Sequence, residues 1–210
     1  TTIELNAATD NPLILLDVET ADLIDPENKA FSAGMFHGEP VGMAMDTLKI
    51  AVSEMASLSE RRLYRLTTGN LSQRLPPGLA RKDRPSIGMM VPQTTAAALV
   101  SENKTLGWPA SMDSIPTCED QEDHIAMSTV AARRCAEVIA NSRRVIAIEL
   151  LCAAHALEYR LESKTQVELG IGSKQMLSNI ESILFELPAD SVVGDQIEAI
   201  SKAIHNGLIF

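Results

Sequence analysis

The chain has 210 residues, with 18 Lys and Arg against 28 Asp and Glu, for a formal charge of −10. That balance excludes a nonspecific phosphate binder, which needs basic stripes to displace counterions. A composition 45% hydrophobic, 22% charged and only 3% aromatic describes a globular chain whose core favours helices over sheet.

The acidity lies at the two ends. Residues 1–40 carry eight acids and one base and residues 161–210 carry seven and three, whereas the middle stretch is close to neutral. Cys118, Cys135 and Cys152 are an odd count without CxxC spacing, so neither a disulfide framework nor a zinc ribbon is expected. No apolar run approaches the ~20 residues that span a bilayer, and no basic-then-apolar leader opens the chain. A cytoplasmic protein with no membrane partner is expected. The start at Thr1-Thr2-Ile3, without Met, is expected of a processed product, a fragment or a trimmed start.

In chain order, residues 1–40 are turn-rich. Asp10-Asn11-Pro12 and Asp25-Pro26-Glu27-Asn28 are turn signatures, and the apolar run Leu13 to Val18 between them fits a strand or one buried turn of helix. From Val41 the pattern changes: Val41, Met45, Leu48, Val52 and Met55 alternate by four and three, which predicts an amphipathic helix continuing to Leu66. Arg61 and Arg65 lie one turn apart on it and read as a solvated face, with an anion site as the sharper alternative.

Residues 67–86 are rich in Gly, Pro, Ser and Thr and predict a long loop. A second helix is expected from Ser86 or Pro92 to about Lys104, and residues 107–118 break it with two prolines. From Gln121 to Glu162 there is neither Pro nor Gly, which predicts a helix ~60 Å long at ~1.5 Å per residue. Cys135, Val138, Val145 and Cys152 mark its buried seam, while Ile146, Ile148, Leu150 and Leu151 make its second half apolar nearly all round. Such a half expects helices on every side, more than this chain offers, and so implies a larger assembly. Glu149, inside that stretch, reads as a satisfied structural carboxylate. The tail predicts helices over Ser173 to Leu187 and Val193 to His205. The segments are thus 1–40 leading to a site wall, 41–162 as the central bundle, and 163–210 as short helices.

The densest polar cluster, Cys118-Glu119-Asp120-Gln121-Glu122-Asp123-His124, falls where the long helix is expected to begin, so its carboxylates complement the helix dipole. Glu122 or Glu119 would serve as an acid/base carboxylate. Asp120 and His124 have i, i+4 spacing, but no further ligand is near, and no metal is expected. Phe36-His37 before the first long helix offers a pocket wall. Ser111-Met112-Asp113-Ser114 lacks a nucleophile elbow and favours capping.

Six stretches, in order, carry a resemblance: Asn6-Ala-Ala-Thr-Asp-Asn-Pro-Leu13, Phe36-His-Gly-Glu-Pro-Val41, Ser57-Leu-Ser-Glu-Arg-Arg62, Thr95-Ala-Ala-Ala-Leu-Val-Ser-Glu-Asn103, Ser111-Met-Asp-Ser-Ile-Pro-Thr117 and Gln121-Glu-Asp-His124. The chain resembles the C-terminal part of the aromatic amino acid lyases, nearest to the histidine-directed branch. The likeness extends to the tail, so a natural C-terminus is expected.

The resemblance implies an all-α long-helix bundle, completed by an N-terminal part and by oligomer partners in a homotetramer-like assembly. It implies elimination of ammonia from L-histidine to give trans-urocanate. It also implies a 4-methylideneimidazol-5-one (MIO) electrophile made from Ala-Ser-Gly. This chain has Ala56-Ser57-Leu58, Ala110-Ser111-Met112 and Ser32-Ala33-Gly34 but no Ala-Ser-Gly, so a partner segment must supply the group and this chain alone is expected to be inactive.

By the family pattern, Phe36 walls the electrophile and is catalytic together with Glu122, and Met90, Glu122 and His37 bind substrate. Phenylalanine and tyrosine lyases usually carry Gln at the position of Glu122, and a carboxylate suits an imidazole better. Met35 and Asp120 depart from the usual Asn at each position. The alternatives are a phenylalanine/tyrosine lyase or aminomutase portion, and outside enzymology a noncatalytic helical scaffold.

Overall fold

Six helices account for most of the chain in the computed structural model, which describes residues 1–14, 30–81, 86–162 and 168–209. They are α1 (Thr2–Asn6), α2 (Glu39–Thr67), α3 (Met90–Leu106), α4 (Ser128–Glu162), α5 (Ile171–Phe185) and α6 (Val193–His205). A two-stranded antiparallel ladder, β1 (Leu13–Ile14) with β2 (Ala30–Phe31), pairs Leu13 with Phe31 and Ile14 with Ala30. The fold is the expected all-α bundle, and no described helix is long and apolar enough to cross a membrane. The predicted turn at residues 25–28, and residues 15–18 of the apolar run, lie outside the described residues.

Local chemistry sets the helix ends. In α2 the first-turn Pro40 forfeits only an N–H that has no intrahelical partner, and the Gly38 carbonyl accepts from the Val41 and Gly42 amides at 3.1 and 3.0 Å. At its other end the hydroxyls of Thr67 and Thr68 bond the Leu63 and Tyr64 carbonyls at 3.0 and 2.7 Å before Gly69 ends the run. The Asp195 carboxylate accepts the Val192 amide at 3.0 Å and fixes the start of α6.

By packing, the described residues fall into two compact units. One compact unit comprises Thr1–Leu48 with Trp108–Cys135, and the other Lys49–Gly107 with Ala136–Phe210, so α2 and α4 each contribute to both. In the second unit, Ala56 and Leu63 of α2, Ala96 and Val100 of α3, Ile180 of α5 and Ile200 of α6 form one core with Val145, Ile148, Leu151 and Cys152 of α4. Burying each large aliphatic side chain contributes about 1.5–3 kcal/mol. Part of the cover for the apolar half of α4 comes from within this chain, while Ile146 and Leu150 of the same half stay half-buried. Ile148, Leu151 and Cys152 have no exposed surface within this chain, because α2, α3, α5 and α6 supply the cover.

The predicted seam Cys135, Val138, Val145 and Cys152 is buried throughout. Burial, with a smaller contribution from the nearby Glu149 charge, pushes the Cys152 thiol from 9.0 up to about 12. A raised thiol pKa means the unfolded chain ionises first. The stabilisation is complete below pH 9 and is lost as pH rises towards 12. At pH 10 the loss should be about 1 kcal/mol relative to neutral pH, read from urea midpoints, and Cys152→Ala should flatten that slope. An unchanged slope in the variant would refute the assignment.

Candidate active site

The residues singled out from the sequence fall into both units. Phe36 closes a short 3-10 turn, Gly34–Phe36, and His37 follows it with its amide bonded to the Gly34 carbonyl at 3.1 Å. Phe36 is 54% exposed and Met35 50%, so the turn presents an apolar face rather than burying it. A cavity of about 310 Å³ runs beside them, lined also by Glu4, Leu5 and Val41. Gly38 lets this segment approach α4: a Cβ there would lie 2.6 Å from the Ser128 hydroxyl oxygen.

The carboxylate cluster sits differently from expectation. α4 begins at Ser128, so residues 118–124 are not its first turn, and the reading of those carboxylates as partners of its dipole is corrected. The segment is a tight loop instead. Thr117 and Glu122 exchange backbone bonds of 3.0 and 3.4 Å, and Cys118, Glu119 and Asp120 all have positive φ (53, 55 and 65°). Three successive non-glycine residues in that region turn the chain in a left-handed coil that no helix can continue. The i, i+4 argument for Asp120 and His124 as metal ligands lapses with the helix.

Glu122 stands at the end of this loop with an exposed carboxylate, and the Thr117 hydroxyl donates to it at 2.9 Å. His124, two residues on, meets His37: the His37 Nε2 lies 3.0 Å from the His124 carbonyl oxygen and 3.2 Å from its Nδ1. The Ser114 hydroxyl accepts the Ile125 amide at 2.9 Å and so closes the loop's outer ends, whereas Ser111 donates its own amide to Asp46 at 2.8 Å. The first unit thus gathers Phe36, His37 and Glu122. Met90, 58% exposed at the start of α3, belongs to the second unit.

The two arginines of α2 have different surroundings. Arg61 binds Glu60 through two bonds of 2.6 and 2.7 Å and lies 4.9 Å over the Tyr64 ring, and the hydrogen bonds to Glu60 hold its pKa above the ordinary value. Arg65 instead lines a cavity of about 640 Å³ with Arg62, Arg160, Leu71 and Leu157. Little in the local residue pattern announces this cavity, because Arg160 comes from 95 positions further along and the loop over 67–81 supplies much of the lining. Glu149 is the satisfied carboxylate expected: Arg62 grips both its oxygens at 2.6 and 2.7 Å, and the buried Ser59 hydroxyl donates at 2.5 Å.

One unit of this all-α bundle thus carries an exposed aromatic turn and a strapped carboxylate loop. Residues 1–182 match the profile described as aromatic amino acid lyase, and the chain belongs to that family as a C-terminal part of it. It is 46% identical over 199 residues to histidine ammonia-lyase of Geobacillus kaustophilus, covering 95% of this chain and 37% of that protein. With histidine ammonia-lyase of Bacillus subtilis the identity is 46% over 200 residues, covering 95% and 36%. Among solved structures, histidine ammonia-lyase from Trypanosoma cruzi matches with a TM-score of 0.85 and 38% identity, over 99% of this chain and 38% of that one. Tyrosine aminomutase from Streptomyces globisporus matches with 0.83 and 33%, over 98% and 36%. The chain therefore spans little more than a third of the length of these relatives.

Proposed function

We propose that this chain is the C-terminal portion of an enzyme that eliminates ammonia from L-histidine to give trans-urocanate, working together with the part of the family that carries Ala-Ser-Gly. The observation that carries this reading is the 46% identity to a histidine ammonia-lyase over 95% of the chain. Glu122, where phenylalanine and tyrosine lyases usually carry Gln, supports it from the site.

The residues here fit MIO as one wall only. Phe36 and Met35 offer an exposed apolar surface suited to a flat conjugated ring, and the sequence holds no Ala-Ser-Gly from which to form it. When present in the assembled enzyme, the group supplies the electrophile for the elimination. Phe36 would pack beside it and would keep water from that side. Glu122, its carboxylate fixed by Thr117, orients the substrate imidazole and accepts or returns a proton there. Partners in an oligomer, tetramer-like as in the family, and the remaining length of the enzyme cover exposed apolar positions of α2 such as Ile50, Met55 and Leu58.

A second reading, an aminomutase portion, is favoured by Met35 and Asp120 and by matches at 32–33% identity to tyrosine and phenylalanine aminomutase structures. One experiment separates the readings. With the Ala-Ser-Gly part supplied, urocanate absorbance should rise with histidine, and this chain alone should give none. Glu122→Gln should then lower histidine turnover at least about tenfold and leave any phenylalanine turnover within about threefold. Turnover by the isolated chain, or a β-amino acid as the product of the assembled enzyme, would sink the proposal.

A further inference from the structure

We infer that His37 is a positioning residue, whose imidazole straps the loop bearing Glu122 to the turn bearing Phe36, and that it does not itself receive substrate. This inference rests on the function proposed above for Phe36 and Glu122; the strap itself rests on geometry alone.

Both ring nitrogens of His37 are engaged inside the protein. Its Nδ1 accepts the Glu39 amide at 3.3 Å, so in the neutral ring the proton sits on Nε2. That Nε2–H donates to the His124 carbonyl at 3.0 Å, with the unprotonated Nδ1 of His124 as a secondary acceptor at 3.2 Å. The two rings are tilted by 39° with centroids 5.2 Å apart, a side-by-side contact that suits this shared bond. No nitrogen of His37 remains to bind a ligand.

The loop needs such a tie. Its three successive non-glycine residues in the left-handed region are strained, so its backbone alone does not favour the conformation that presents Glu122. The Thr117–Glu122 bridge and the Ser114–Ile125 bond fasten it within itself. The His37–His124 bond fastens it to a segment 87 positions away, one residue from Phe36. A shift of about 1 Å in a group that orients substrate costs rate steeply, up to about a hundredfold.

The test has two arms. In the purified chain, nitrogen-15 NMR of the neutral imidazoles should show His37 as the Nε2–H tautomer; the Nδ1–H tautomer would overturn the strap whatever the enzyme does. In the assembled lyase, His37→Leu should lower kcat about tenfold with KM within about twofold, whereas His37→Gln, which keeps a distal N–H donor, should stay within about threefold. In a Glu122→Gln background, His37→Leu should cost less than about twofold more, because the strap acts through Glu122. Equal losses in both backgrounds, or a Gln variant as poor as Leu, would show that His37 acts on its own. If the wild-type assembly leaves histidine untouched, the function proposed above fails while the tautomer measurement still judges the strap. Should His37→Leu not fold, by thermal unfolding, the Gln variant and the tautomer still decide.

Discussion

Gly88→Ala should destabilise this chain by about 3 kcal/mol or more, the largest single-residue effect on stability that the structure supports. Gly88 has φ +57°, and a Cβ built there would lie 2.2 Å from the Gly78 carbonyl oxygen, 2.7 Å from the Ala80 nitrogen and 2.9 Å from its Cα. The first cost is the left-handed backbone, about 1 kcal/mol for a residue with a side chain. The second is steric, and it exceeds the first because every atom met is backbone, which no rotamer change can move aside. The strand of chain it would displace also carries structure. The Met89 amide donates to the Gly78 carbonyl at 2.7 Å, and the Tyr159 hydroxyl to the Leu79 carbonyl at 3.1 Å, so pushing this turn outward loosens both the start of α3 and its tie to α4.

The measurement is a urea titration followed by far-ultraviolet circular dichroism, with Gly172→Ala as the control. Gly172 lies in α5 with open space around its Cβ position, so Ala there should be neutral or stabilise by about 0.5 kcal/mol. A Gly88→Ala midpoint within experimental error of wild type would mean that the close approach of Gly88 to Gly78 and Ala80 relaxes freely.

The same turn shows where sequence reading stops. The Gly- and Pro-rich stretch announced a loop over 67–86, but Gly88 lies beyond it, and its constraint comes from a residue ten positions earlier brought back within van der Waals reach. Helices, by contrast, were legible because their signal is local. The apolar spacing from Val41 predicted α2, whose observed range is Glu39–Thr67, and the last helix was expected over the residues it occupies. The start of α4 was misplaced because Gln121 to Met127 contains no helix breaker. Bonds to residues outside this stretch hold it off the helix: the Thr117–Glu122 bridge, the Ile125 amide to the Ser114 hydroxyl, and the His37 ring to the His124 carbonyl. None of these is written in propensity. Of the candidate site, residue types and the family likeness were legible. That both nitrogens of His37 are engaged was not, since the His124 partner lies 87 positions away.

Glu149→Leu should cost about 3 kcal/mol, and the reasons distinguish this carboxylate from Glu122. Glu149 has a side chain only 17% exposed in the apolar half of α4, a place where an unpaired charge could not persist. Three bonds compensate it: two from Arg62, whose pKa they raise, and one from Ser59, whose residue is 1% exposed. Removing the carboxylate strands a buried hydroxyl, at about 1–3 kcal/mol, and severs a part-buried ion pair that joins α2 to α4. Arg62 itself is 63% exposed and keeps its hydration, which limits the loss on that side.

Leu offsets little of this, because it adds apolar volume beside the Ser59 hydroxyl without accepting its proton. Glu149→Gln should cost less, about 1–2 kcal/mol, since an amide oxygen still accepts from Ser59 or Arg62 but without the charge. Arg62→Met is the complementary change, and in combination with Glu149→Leu its further cost should fall well below its cost alone, the two sharing one interaction. Urea unfolding of the four variants completes the cycle. Additive losses would mean that Arg62 and Glu149 stabilise α2 and α4 separately. Glu122, by contrast, is exposed and tied to one threonine, so Glu122→Gln should leave the urea midpoint within about 0.5 kcal/mol of wild type while changing turnover, and a large stability loss there would place it with Glu149 instead.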